Sequence, residues 1–375
     1  MGSINILIAV ILFSAIILFH ELGHFLLAKA NGVGVIEFSL GMGPRIISFA
    51  KTDEGKKVKF FGSSKYFEEH SEYTDHTLYS WKIFPFGGSC MMLGEMEDIE
   101  DERAFGKKGV LARMAVIFAG PFFNFILAFV LALFVVGMEG YDKASIMDVQ
   151  AEMPMAESGF QDGDVIREIN GRKIVVNREL VYYLQFHPLS DEAVELTAER
   201  DGEEITAVVT PKLVEDDEGN EVYRLGFSYG SKRTKSGVWD TIKYSAYEVK
   251  FWIFTTVESL GQMISGNVSP KDVAGPVGII QTVGDVVDQS RPGGIYYIIL
   301  NVLSMGILLT ANLGVMNLLP IPALDGGRLL FLIIEGIRRK PLPEKFENYV
   351  NVGGFVLLMG LMVVILANDI IKLIP

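Results

Sequence analysis

The sequence predicts a multi-pass α-helical membrane protein. It should have four transmembrane helices, a membrane-associated β-hairpin region and an inserted small α+β domain. Three observations lead there. Half of the 375 residues are hydrophobic, and the mean hydropathy of +0.33 is high for a soluble enzyme. The apolar residues are gathered into four blocks long enough to cross a bilayer. Between the blocks lie β-rich runs broken by glycine turns.

The first block runs from Ile4 to Ala28 and ends on the residues His20-Glu21-Leu22-Gly23-His24. It has no basic segment before the apolar run and no small-residue cleavage site after it, so it is read as a span and not a signal peptide. His20 and His24 are four residues apart, share one helix face and can reach one metal ion. Glu21 is turned away by about 100° of helix rotation, which leaves it beside the ion as a base. A lone histidine in an apolar helix is usually a packed core residue. Two histidines and a glutamate inside a span are costly and point to zinc chemistry.

Residues 31–109 form a cytoplasmic-side hairpin or re-entrant region with a linker. Val35–Leu40, Arg45–Phe49, Lys57–Phe61, Thr77–Phe84 and Ser89–Leu93 read as short strands, with a turn at Phe86-Gly87-Gly88. Tyr66–Asp75 is an acidic, polar insertion. A free strand edge near the metal suits an extended peptide, so Gly87 and Gly88 are candidate substrate-binding positions. A surface hairpin that only packs is the alternative.

The second span occupies 110–140 and contains Gly120-Pro121, a break that neighbouring helices can tolerate. Residues 141–232 alternate β-rich runs with Gly163-Asp164, Asn170-Gly171 and Asp201-Gly202, plus a short helix over Glu179–Phe186. This is a small α+β module, large enough to fold alone. Residues 233–292 combine an amphipathic helix over Thr241–Ile264 on the outer membrane surface with an apolar loop at Ala274–Ile280. The third span lies in 293–328, a cytoplasmic helix or loop in 329–347, and the fourth span in 348–375.

Orientation follows from Lys and Arg near the span ends. Lys29, Arg45, Lys51, Lys56, Lys57, Lys59, Lys107, Lys108 and Arg113 follow the first span or precede the second. Arg338, Arg339, Lys340 and Lys345 lie between the third and fourth. Both regions should be cytoplasmic in the cell membrane, with both termini and residues 141–292 outside. That outer stretch has 15 Lys+Arg and 26 Asp+Glu, a balance of −11 within a whole-chain −13. An acidic exterior argues against nucleic acid as a partner and against adhesion to anionic lipid; the four apolar blocks make the lipid bilayer the expected environment. The single cysteine, Cys90, excludes an intrachain disulfide and a cysteine-based zinc cluster. His70, His76 and His187 sit in polar surroundings and read as surface residues.

Two histidines do not complete a catalytic zinc, which ordinarily has three protein ligands. Asp325 is the best third candidate, in Asn317-Leu-Leu-Pro320-Ile-Pro322-Ala-Leu-Asp325-Gly326-Gly327. The prolines should end the helix and extend the chain. Asp325 could equally cap a helix starting near Arg328, and Glu335 is a rival ligand. Asn317 and Asn312 are expensive in a span. They could hold substrate backbone, or bond another helix.

These residues resemble the site-2 protease family of intramembrane zinc metalloproteases, and most of all the bacterial regulator-of-sigma-E protease type in a single-PDZ version. His20–His24 matches the zinc motif, and Asn317–Gly327 matches N-x-x-P-x-P-x-L-D-G-G, which implies Asp325 as third ligand. Ala104-Phe105, Lys107, Arg113, Phe118–Pro121 and Asn124-Phe125 match the start of the second span. Met155–Lys173 looks like a bacterial PDZ domain, so 141–232 is expected to be PDZ-like, and Gly275-Pro276-Val277-Gly278 matches a loop before the third span. Pro85–Cys90 departs from the usual P-x-G-G-Y-V. The resemblance implies a Zn2+ endopeptidase that hydrolyses peptide bonds in transmembrane segments of single-pass proteins already trimmed outside, such as an anti-sigma factor or a signal-peptide remnant. It implies a PDZ-like module that screens by size or binds a new C-terminal tail, with size exclusion preferred. A catalytically silent membrane PDZ scaffold is the alternative. A transporter would predict inverted repeats, and none is visible.

Overall fold

A computed structural model describes residues 2–70, 73, 76–95, 97, 99–216, 218–230, 233–266 and 274–373. Residues 71, 72, 74 and 75 of the acidic insertion therefore lie outside the described residues. The chain divides into two compact units, one of residues 1–131 with 252–375 and one of residues 132–251.

In the first unit, α1 (Ser3–Ala30) is an almost unbroken apolar helix. β1 (Val35–Thr52), β2 (Gly55–Phe60) and β3 (Leu78–Met92) follow as one sheet in the order β2-β1-β3, with α2 (Ser64–Glu69) inserted before β3. The sequence suggested more, shorter strands. Gly41 and Gly43 both take positive φ (83° and 86°), so the chain folds back without ending the strand. Ile47–Ala50 pair with Trp81–Leu78, while Val35–Leu40 pair with Met92–Gly88 and Phe38–Leu40 also lie opposite Tyr79–Trp81. The arm Gly88–Met92 is thus a sheet edge with a strand on one side only. Glu37, 1% exposed, is held inside the sheet by Arg45 (2.7 Å) and Lys82 (3.1 Å).

Three further helices, α3 (Val110–Glu139), α8 (Ile295–Leu318) and α10 (Glu344–Leu373), are long and apolar enough to cross a membrane. With α1 they make four spans, as the sequence predicts. Shorter helices also belong to this membrane unit. α7 (Pro276–Ser290) stands where an apolar loop was expected. Pro276 opens it at a position where a missing N–H costs nothing. The Asp369 carboxylate of α10 accepts from the N–H groups of Gly275 (3.0 Å) and Gly278 (2.9 Å) and so caps it from afar. α9 (Asp325–Arg338) absorbs the short apolar run after the third span, and at 14 residues is too short to cross.

In the second unit, β4 (Ser145–Met147), α4 (Pro154–Glu157), β5 (Val165–Ile169), β6 (Arg172–Lys173), α5 (Asn177–Phe186), β7 (Val194–Arg200), β8 (Glu203–Val209) and β11 (Ser228–Gly230) form a small α+β module. The sheet order is β11-β4-β5-β7-β8, with β6 on β5. β9 (Lys212–Glu215) and β10 (Glu221–Arg224) make a separate hairpin, whose tip is tied by Asp216 accepting from the N–H groups of Glu218 and Asn220. Ile146, Met155, Ile166, Leu180 and Leu196 fill the core of the module. A cavity of about 670 Å³ lies beside the edge strand, lined by Leu184, Leu189, Leu225, Phe227 and Tyr229. The helix α6 (Val238–Ile264), expected from Thr241, spans the boundary between the units.

Asp164, 1% exposed, takes a bidentate pair from Arg200 at 2.7 Å on each oxygen. That guanidinium holds the carboxyl below its usual range, against the opposing effect of burial. A depressed pKa gives stability above the ordinary carboxylate range that is lost as pH falls through the folded value. Asp164→Asn is therefore expected to speed amide exchange across 144–230 of the full chain near neutral pH. The difference from wild type should vanish under acid; a difference that persists there would assign it to packing.

A candidate metal centre

Periodicity puts His20 and His24 one turn apart near the end of α1, and the fold brings the first turn of α9 to them. Asp325 Oδ2 lies 3.1 Å from His20 Nε2 and 3.4 Å from His24 Nε2, and the two Nε2 atoms are 3.2 Å apart. A tetrahedral ion with bonds of about 2.0–2.1 Å keeps its ligand atoms about 3.3–3.4 Å apart. The three donors have that spacing, and Asp325 Oδ2 is buried with no hydrogen-bond partner. The chemistry and separation of the set fit zinc.

Each donor is placed by local structure. α8 ends at Leu318 before Pro320, and Ala323 sits at φ +71°, an unusual conformation for a residue with a Cβ. α9 then begins at Asp325 itself, with Leu324 as cap residue, three residues earlier than the helix expected near Arg328. A Cβ at Gly326 would stand 2.2 Å from the Leu319 carbonyl oxygen, and one at Gly327 2.3 Å from that of Ile321. The glycine pair therefore allows the turn to close.

The histidines lie in a cradle built by one stripe of α3, residues 116, 120 and 124, which share a helix face at four-residue spacing. The Val116 carbonyl oxygen is 2.9 Å from His24 Nδ1. Gly120 leaves space for the rings, since a Cβ there would be 2.2 Å from His24 Nε2 and 2.8 Å from His20 Cε1. Asn124 is fully buried, with Nδ2 3.2 Å from His20 Nδ1. Gly23 of α1 makes the close approach possible, as a Cβ there would meet the Ala119 carbonyl oxygen at 2.3 Å. Sequence reading gave none of the stripe a role in the site.

Glu21 Oε2 accepts from the Cys90 N–H at 2.9 Å, so the free edge of the sheet lies against this carboxylate. Gly88 is part of that contact: a Cβ on it would be 3.4 Å from Glu21 Cγ and 2.9 Å from the Ser39 carbonyl oxygen. Gly87, at φ +75°, turns the strand into this edge. Burial, together with the Glu21 charge, pushes the Cys90 thiol up to about 12.

Asn317 Nδ2 reaches His20 Nδ1 at 3.5 Å. Asn312 is not brought to the cluster; its Oδ1 accepts from the Thr256 hydroxyl of α6. Glu335 is engaged by Arg113. His70 stacks on Tyr66, and His76 is 3.7 Å from Asp53.

The sequence model of peptidase family M50 matches residues 8–63 and 55–361. A Clostridium perfringens protein named as a zinc metalloprotease is 34% identical over 367 residues, covering 98% of each chain. The zinc metalloprotease RasP of Bacillus licheniformis is 32% identical, over 98% of this chain and 99% of its own. The regulator of sigma-W protease RasP of Bacillus subtilis is 30% identical over 99% of both. Among solved structures, a Listeria monocytogenes PDZ domain aligns with 24% of this chain and 88% of its own, at 21% identity and a TM-score of 0.21.

Proposed function

We propose a residue-level mechanism from one premise: the chain belongs to peptidase family M50 and is a multi-pass, zinc-dependent protease that works within the membrane. His20, His24 and Asp325 hold the ion and Glu21 is the general base. The observation that carries this is the trio of donor atoms 3.1, 3.2 and 3.4 Å apart at the end of an apolar span, with Glu21 on the same helix. Bound there, zinc supplies Lewis acidity, lowering the pKa of water from about 16 towards about 7 and polarising the scissile carbonyl. Glu21 takes a proton from the attacking water and returns it to the leaving amine nitrogen. The Cys90 N–H aims that carboxylate.

A transmembrane substrate hides its peptide bonds in helical hydrogen bonds and must unwind. The edge Gly88–Met92 receives the unwound segment as an added strand, and the Asn317 amide holds its backbone. Helix-breaking residues in the substrate assist. Gly88→Ala is expected to lower cleavage at least tenfold with zinc content unchanged, because the methyl group would meet the Ser39 carbonyl oxygen at 2.9 Å and displace the edge that carries the Cys90 N–H. Cleavage at the wild-type rate would move substrate binding elsewhere.

The substrates are single-pass proteins trimmed outside the membrane, of the anti-sigma-factor type, or signal-peptide remnants; the sigma-W name of the Bacillus subtilis relative supports the former. Both termini and the PDZ-like unit face outward, and the metal faces the cytoplasm, on the support of Lys and Arg placement. Labelling of Ser190→Cys in a Cys90→Ser background by an impermeant maleimide on intact cells checks this. The cavity beside β11 supports capture of a new C-terminal tail alongside exclusion by size.

The deciding experiment offers purified protein a tagged single-pass substrate with and without its outer domain, beside a zinc determination. About one zinc per chain and cutting of the trimmed form alone are expected. Equal cutting of both forms would end the gating part of the proposal, and absence of zinc would end all of it.

A further inference from the structure

His20 and His24 are oriented by different kinds of partner. His24 Nδ1 faces the Val116 carbonyl oxygen at 2.9 Å, which can only accept, so this ring carries its proton on Nδ1 and offers Nε2 to a metal. His20 Nδ1 instead faces two amides, Asn124 at 3.2 Å and Asn317 at 3.5 Å. A neutral histidine that binds metal through Nε2 must place its proton on Nδ1, and that proton needs an acceptor.

Asn124 is the better placed of the two. It is 0% exposed, its backbone carbonyl is anchored by the Thr310 hydroxyl at 3.2 Å, and its Oδ1 is buried with no partner. The oxygen and nitrogen of an amide are nearly alike in size, so its orientation is decided by the hydrogen bonds it can make. Rotating the amide puts Oδ1 in reach of the His20 Nδ1 proton.

We propose that Asn124 is the positioning residue for His20. Its side-chain carbonyl accepts the Nδ1 proton, fixes the tautomer and aims Nε2 at the ion. Asn317, longer in contact and only partly buried, is thereby left for substrate. The inference rests on the zinc reading of the site.

The test is zinc affinity, measured by chelator competition on the full chain in detergent, with the visible spectrum of the cobalt-substituted protein as a second readout. Asn124→Leu removes the acceptor at similar size and is expected to weaken zinc by about 10–100-fold and to change the cobalt spectrum. Asn124→Asp can accept but not donate; it is expected to bind zinc at least as tightly as wild type and keep the tetrahedral cobalt spectrum. Asn317→Leu should keep zinc affinity and lose cleavage. Wild-type affinity in Asn124→Leu would overturn the inference, as would an Asn124→Asp protein that binds weakly. Should Asn124→Leu misfold on size exclusion, Asn124→Asp decides alone, since it changes one group at constant shape. A wild-type protein without zinc would sink the zinc reading itself, whereas zinc-loaded wild type with an indifferent Asn124 sinks only this inference.

Discussion

Glu21→Gln is expected to abolish cleavage while the purified protein keeps about one zinc per chain. Loss of a positioned acid–base group costs about 10²–10⁴-fold, so residual cutting should fall below detection in an ordinary gel assay. The substitution is conservative in every respect but one. The glutamine side chain retains a carbonyl oxygen for the Cys90 N–H, which the wild-type carboxylate holds at 2.9 Å, so the sheet edge stays in place. It supplies no ligand to the ion in the proposed site, whose donors are His20, His24 and Asp325. What it loses is the ability to take up a proton. A Glu21→Gln protein that cuts at the wild-type rate would remove Glu21 from the chemistry, and one that loses zinc would make Glu21 part of the metal site.

The parts of this site that were legible in the sequence are those whose geometry is set by local periodicity. Two histidines four apart on an apolar run share a face whatever surrounds them, and Asp325 stands in a proline-interrupted stretch where capping the next helix was its alternative role. The four spans were legible for the same reason, since length and hydropathy suffice. What could not be read is the complementary surface. Val116, Gly120 and Asn124 lie in a segment that reads as an ordinary span, and nothing local says which of its faces meets α1. Gly120-Pro121 looks like a tolerated break; the fold uses the glycine as space and the stripe as a cradle. Ala274–Ile280 reads locally as an apolar loop, and the carboxylate that caps α7, Asp369, is more than ninety residues away. The bends at Gly41 and Gly43 illustrate a third limit. Glycine punctuation marks a turn between strands and a fold within one strand equally well, so the five short runs could be seen but not their register.

Gly120→Ala is expected to empty the metal site and stop cleavage with no loss of helical structure. Its Cβ would stand 2.2 Å from His24 Nε2 and 2.5 Å from His24 Cε1, well inside any real contact, and on the side from which an ion must be reached. Neither ring can give way cheaply. His24 is tied through Nδ1 to the Val116 carbonyl oxygen, and His20 lies within reach of Asn124 and Asn317. The backbones cannot separate easily either, because Gly23 and Ala119 are packed at the same crossing. Helix propensity acts in the opposite direction, since alanine favours a helix over glycine by about 1 kcal/mol. The two effects therefore separate in measurement. Helicity by circular dichroism and a monodisperse elution should match wild type, while zinc per chain falls towards zero. Glu21→Gln and Gly120→Ala then form a pair in which both lose activity and only one loses metal. A Gly120→Ala protein that retains about one zinc per chain would mean that the α1–α3 crossing can open by more than an ångström, and the cradle would no longer explain how the histidines are held.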